Sequence, residues 1–162
     1  MRVVNASPLI VLSKLGRLDL LREPRPDIEV VTPRAVLDEV LKGKPEDPAV
    51  TLVPQAAADW LRVLPTPPAP GVLRTGDLDA GETAVLSIAL EHPGWEVVLD
   101  DHSARREATR LGLPCIGTVG LVLTGHRLGT VPSVRDALES LRAAGLYISD
   151  RLFRLALDEA GE

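Results

Sequence analysis

The chain alternates short apolar runs with longer segments of helical period. Arg2 to Asn5 predicts a first strand, and Ser7-Pro8 follows at once as an N-cap serine and an N1 proline opening an apolar helix to about Lys14. Glu29 to Val31 repeats this grammar, with Thr32-Pro33 as the expected cap and N1 of a helix to about Leu41. After the polar loop Lys42 to Pro48 come a helix over Ala49 to Asp59, in spite of Pro54, and a strand over Leu61 to Leu64. Pro65 to Gly76 holds four prolines and two glycines and predicts a surface loop. Gly81 then precedes a helix over Glu82 to Leu90, with Val85, Leu86 and Ala89 on one face. A strand over Glu96 to Leu99, the acidic pair Asp100-Asp101 and a helix over Ser103 to Leu111 follow. Pro114 to Ile116 predicts the last strand, and Thr118 opens a helix to about Thr124. Two tail helices, Ser133 to Ala143 and Ser149 to Ala160, each begin on a serine cap. Five short, continuously apolar strands alternating with helices predict an α/β fold with a parallel sheet and helices on both faces.

The length of 162 residues suits one domain over residues 1–162, with the helices from about 133 to 162 as an appendage. Aromatic residues make up only 2%, so the core must be aliphatic, and a fold resting on an aromatic base-stacking platform is excluded. The formal net charge of −5 makes the surface as a whole repel polyanions, so a nucleic-acid partner must be held by a local site. Cys115 is the single cysteine, which excludes an intramolecular disulfide and a cysteine-rich metal site and leads us to expect a reducing, cytoplasmic setting. No apolar run approaches the ~18 residues of a membrane span, and the N-terminal run is too short for a signal peptide, so no membrane partner is expected.

In open α/β sheets ligands gather beyond the carboxyl ends of the strands. Asn5 and Ser7 stand after the first strand, and Asp100, Asp101 and His102 after the fourth. If those strands are neighbours where the winding reverses, Asn5 and Asp101 face one crevice. Glu39 and Glu82 lie on helical stripes expected to be buried, where an unpartnered carboxylate is costly. Like charges ~4 Å apart repel by ~4 kcal/mol at an effective dielectric of 20, so acids converging in one cleft call for a divalent ion. Oxygen donors without a thiolate or imidazole cluster favour Mg²⁺ or Mn²⁺ over zinc. Plainer readings stand beside these: Asp101 and Glu82 as charges at helix starts, Asp77 and Asp79 as loop and capping residues, Cys115 as a small core residue. Arg105 and Arg106, early in the helix after Asp101, are candidates for substrate phosphates.

Four stretches then matter together: Val3-Val4-Asn5-Ala6-Ser7-Pro8-Leu9-Ile10, Pro33 to Leu41 with Glu39-Val40, Leu78-Asp79-Ala80-Gly81-Glu82, and Val97-Val98-Leu99-Asp100-Asp101. In order and approximate spacing they resemble the acidic motifs of PIN-domain nucleases. Gly112 to Thr118 and the serine-capped tail resemble a PIN-like subfamily of bacteria and archaea. The resemblance implies a three-layer α/β/α fold with a five-stranded parallel sheet of order 3-2-1-4-5, a Mg²⁺ or Mn²⁺ site, and hydrolysis of RNA phosphodiester bonds. It places Asn5 where the family usually has its first aspartate, Glu39 on the helical acid, Glu82 where an aspartate is usual, Asp101 on the acid after strand four, and Ser7 on a hydroxyl position. Asp101 and Glu82 would then be the principal ligands, Glu39 a base or the holder of a water, Asn5 its orienter, and Asp100 a fourth acid. The resemblance also implies a homodimer and a toxin paired with a cognate antitoxin protein. Asn5 departs from the pattern, because its amide oxygen brings no charge. It favours the alternative of an inactive PIN-like module that binds nucleic acid or protein without cutting.

Overall fold

A computed structural model describes residues 1–23 and 27–162. The strands are β1 (Arg2–Val4), β2 (Val30–Pro33), β3 (Leu61–Leu64), β4 (Glu96–Val98) and β5 (Cys115–Ile116). They form one parallel sheet of order β3-β2-β1-β4-β5, in the register Val3 to Val31 on one side and Val3 to Val97 on the other. The expected order is therefore the observed one. The helices are α1 (Ala6–Lys14), α2 (Arg34–Val40), α3 (Pro48–Asp59), α4 (Ala80–Glu91), α5 (His102–Arg110), α6 (Thr118–Arg127), α7 (Val134–Ala143) and α8 (Asp150–Ala160), and with the sheet they make a three-layer α/β/α arrangement.

The core is aliphatic, as composition requires. Val3, Val4, Val31, Val97 and Val98 are sealed from solvent between Leu9, Leu12, Leu86 and Leu121 of the helices. Each such side chain contributes about 1.5–3 kcal/mol on burial. Leu138 and Leu141 of α7 and Ala156 and Leu157 of α8 belong to the same cluster. The aromatic rings stay at its margin: Trp60 lies beneath the Arg22 guanidinium at 5.7 Å, Trp95 meets the edge of His92 at 4.0 Å, and Tyr147 is 89% exposed. Among the described residues no helix is long and apolar enough to cross a membrane.

Two expected caps are displaced. Ser7 lies inside α1, whose cap is Asn5, and its hydroxyl donates to Asp100 at 3.3 Å. Thr32 is the third residue of β2, and its hydroxyl donates to the Val4 carbonyl at 3.0 Å across the sheet. In both places a hydroxyl one residue before a proline found a tertiary partner in place of the local helix start. The tail serines do cap, Ser133 taking the Asp136 N–H and Ser149 the Leu152 N–H. Arg2 was not singled out in the sequence. It is buried at the start of β1, with its guanidinium donating to Glu96 at 2.6 Å and to the carbonyls of Leu21 and Glu23.

Candidate functional site

The chain leaves β1 for β2 on one side and reaches β4 on the other, so a crevice opens beyond the carboxyl ends of β1 and β4. Asn5 and Asp101 stand on its two sides. Asn5 follows β1 directly, and its N–H continues the ladder to the Val98 carbonyl at 3.2 Å. Its side chain turns inward, the residue is 4% exposed, and Oδ1 is buried with no hydrogen-bond partner. Buried polar atoms in folded chains are nearly always bonded, so an orphan oxygen here marks a place that receives something.

The helix start of α4 forms the floor. Asp79 caps it and Glu82 closes a capping box: the Glu82 N–H donates to Asp79 Oδ1 at 2.7 Å, and the Asp79 N–H donates to Glu82 Oε2 at 3.0 Å. Between them Gly81 leaves room for two oxygens. A Cβ at that position would lie 3.0 Å from Asn5 Oδ1, 3.0 Å from Glu39 Oε2 and 3.2 Å from Val36 Cγ2. Both oxygens therefore lie close against a residue that has no side chain. Gly81→Ala is expected to push them apart, weakening Mn²⁺ binding by calorimetry about tenfold while the melting temperature changes little. Unchanged binding would show that this approach is incidental.

Charge is concentrated around Glu82. It is 6% exposed, and its carboxyl is pushed up to about 7 chiefly by burial, which the Asp79 N–H partly offsets and which repulsion from Asp79, Asp101 and Glu39 reinforces. The Glu39 carboxyl is also raised, by loss of solvent around its tip and by Asp79, and Lys42 three residues on pulls it back. Asp101 caps α5, with Oδ1 accepting from the N–H groups of Ser103 at 2.7 Å and Ala104 at 3.0 Å. Cap and crevice acid are thus one residue, and Glu82 likewise combines its place in the capping box with its place in the crevice.

The expectation that both glutamates would be buried holds for Glu82 alone. Glu39 is exposed. In the short helix α2 the inward positions are Val36, Leu37 and Val40, which leaves Glu39 on the rim with only its Oε2 end reaching over Gly81. Asp100 and Ser7 are bonded to each other. Asp100 accepts from the Thr118 N–H at 2.8 Å, the Thr118 hydroxyl at 2.7 Å and the Ser7 hydroxyl, so both tie β4 to the starts of α1 and α6. Arg105 donates to the Leu99 carbonyl at 3.0 Å, bracing the same turn, while Arg106 is exposed. Asp79 is the cap that the sequence predicts, and its charge also acts on both glutamates. The Asp-x-x-Glu spacing of 79 and 82 carried that signal, since a capping box draws two carboxyl groups to one helix start.

The donor set fits a hard cation: an uncharged amide oxygen with no partner at Asn5, carboxylates at Glu39, Glu82 and Asp101, and no sulfur or imidazole among them. Among the described residues no three acid, histidine or cysteine side chains are already drawn together as a ligand cage. The convergence is that of a crevice whose acids repel one another.

The family model described as a PIN domain matches residues 1–162, the whole chain. No curated protein and no solved structure matches it. Together with the sheet order, this match shows that the chain belongs to the PIN-domain family and has its nuclease-like fold.

Proposed function

We propose that this protein is a divalent-cation-dependent ribonuclease that hydrolyses phosphodiester bonds in the crevice between β1 and β4. The observation that carries the reading is the placement of Asn5 Oδ1 and Glu39 Oε2 against Gly81, beside a Glu82 carboxyl raised to about 7 by burial and by its acidic neighbours. Glu82 and Asp101 would hold Mg²⁺ or Mn²⁺, with Glu39 and Asn5 toward its water. When bound, such a cation supplies Lewis-acid stabilisation of charge on phosphoryl oxygens and lowers the pKa of water. Glu39, at the open rim and with its carboxyl raised, accepts the proton of the attacking water. Asn5 presents an uncharged acceptor that orients that water. Asp79 holds the Glu82 backbone and side chain in place through the capping box.

The experiment is incubation of purified protein with end-labelled RNA and Mn²⁺, beside Glu39→Gln. Hydrolysis should slow about tenfold to a hundredfold in the variant. An unchanged rate would assign the activity to a contaminant. The neutral Asn5 favours a second reading, a PIN-like module that binds without cutting, and calorimetric Mn²⁺ binding with no hydrolysis would select it. The family resemblance extends the proposal to a homodimeric toxin held by a cognate antitoxin protein, and sedimentation of the isolated protein tests the first part.

A further inference from the structure

Beside the acids lies a second cleft, of about 700 Å³, that none of the steps above uses. One wall is the proline-rich loop at Arg74, Asp77 and Leu78, which leads directly into Asp79. The other is α5 from His102, the residue after Asp101. The cleft therefore begins where the acidic crevice ends. It is lined by Arg74, Arg105, Arg106 and Arg110 against only Asp77 and Glu107, in a chain whose formal net charge is −5. A concentration of positive charge on a negative molecule is a local field, and it selects an anion at that place.

Two of these arginines are already engaged. Arg110 grips Glu107 with two bonds of 2.8 and 2.6 Å and donates to the Val72 carbonyl at 2.7 Å, while Glu107 accepts the Arg74 N–H at 2.8 Å. That grip holds the Glu107 carboxyl down to about 2, so the clamp that fixes the loop on α5 stays charged at ordinary pH. Arg105 is engaged with Leu99. Arg74 and Arg106 are exposed, and among the described residues neither guanidinium has a hydrogen bond or salt bridge, the Arg74 charge acting on Glu107 only at longer range. The loop clamp thus sets two unengaged guanidinium groups along one cleft, adjoining Asp79 on one wall and Asp101 on the other.

We propose that Arg74 and Arg106 hold the backbone phosphates flanking the bond to be cut, so that a single strand of nucleic acid runs from the acids along α5. Guanidinium forks match phosphate oxygens in pairs. The proposal rests on the nuclease reading for the meaning of the neighbouring crevice. It differs from the pair expected from the sequence: Arg106 stays, Arg105 is bonded to the Leu99 carbonyl, and Arg74 enters from the loop over Pro65 to Gly76.

The test is binding of a short fluorescein-labelled single-stranded RNA in EDTA, followed by fluorescence anisotropy across a salt series, so that no hydrolysis is involved. Each phosphate contact on a single strand contributes about 0.7 to the logarithmic salt slope. The double variant Arg74→Ala/Arg106→Ala should therefore show a slope shallower by about 1.4. Between about 50 and 200 mM salt the wild type should lose roughly sevenfold more affinity than the variant. Arg151→Ala/Arg154→Ala, on the exposed side of α8, should bind as the wild type does. A slope unchanged by the Arg74/Arg106 pair, or equally reduced by the α8 pair, would overturn the cleft, as would a wild type that does not bind even at the lowest salt. If the Arg74/Arg106 variant loses the slope but Mn²⁺ brings no hydrolysis in the wild type, the cleft stands and the nuclease reading fails. If hydrolysis is present and the slope is unmoved, the reverse holds.

Discussion

Glu82→Gln is expected to stabilise the cation-free protein by about 3 kcal/mol above neutral pH. The folded-state carboxyl sits near 7, against 4.5 for the ordinary group, so between those values the folded chain carries a proton that the unfolded chain has released. Stability therefore falls as pH rises through this window, by about 1.36 kcal/mol for each pH unit, and the loss is complete above the folded value. Glutamine has no charge to lose, and its carbonyl still accepts the Asp79 N–H, so the capping box survives. Melts in EDTA at low and high pH should coincide for the two proteins near pH 4. Above neutrality they should separate, on the order of 10 °C in favour of the variant. Mn²⁺ should then raise the wild type and leave the variant nearly unmoved, since a ligand of the folded state adds stability in proportion to its affinity. Melting curves that stay parallel across pH would show that Glu82 is ionised as an ordinary surface acid.

For Asp101→Asn the expected result is the opposite division: RNA hydrolysis reduced by about two to three orders of magnitude, with melting close to that of the wild type. Asp101 has two tasks, and the substitution separates them. The Oδ1 bonds to Ser103 and Ala104 need only a side-chain oxygen, and asparagine caps a helix as well as aspartate. The negative charge beside Glu82 is what the amide removes. Initial rates with Mn²⁺ and a thermal melt on the same preparation check both halves. A fully active variant would reduce Asp101 to a cap, and an inactive variant with a low melting temperature would show that the helix start, and not the charge, had failed.

Most of the sheet was legible because its strands are apolar on both faces and short, with a helix signal after each. Val3-Val4, Val30-Val31 and Val97-Val98 have no other place to go in a chain almost free of aromatic residues. Helix starts were less legible. Ser7 and Thr32 carry the local signature of a cap, but each is nearer in space to a better acceptor, Asp100 and the Val4 carbonyl, and distance in three dimensions is not written in the local pattern. The same blindness hid Arg2, whose partners are Glu96 and two carbonyls of the turn before residue 24. In the candidate site, the acids at 39, 82 and 101 stand out in the sequence by their places after strands and on helices. Asp79 was passed over because a cap is a sufficient account of an aspartate there, although the box it makes with Glu82 puts two carboxyl groups side by side. Gly81 was unreadable for a different reason: its importance lies in two oxygens that belong to Asn5 and Glu39.

The aliphatic interior has a consequence for any optical study of this molecule. Trp60 and Trp95 both sit at the margin, one under a guanidinium and the other against an imidazole edge, and Tyr147 projects into solvent. Intrinsic emission and near-ultraviolet dichroism therefore report the periphery, and the valine layer between α1 and α4 needs a reporter of its own, for instance a carbon-13 label on a leucine or valine methyl read by nuclear magnetic resonance.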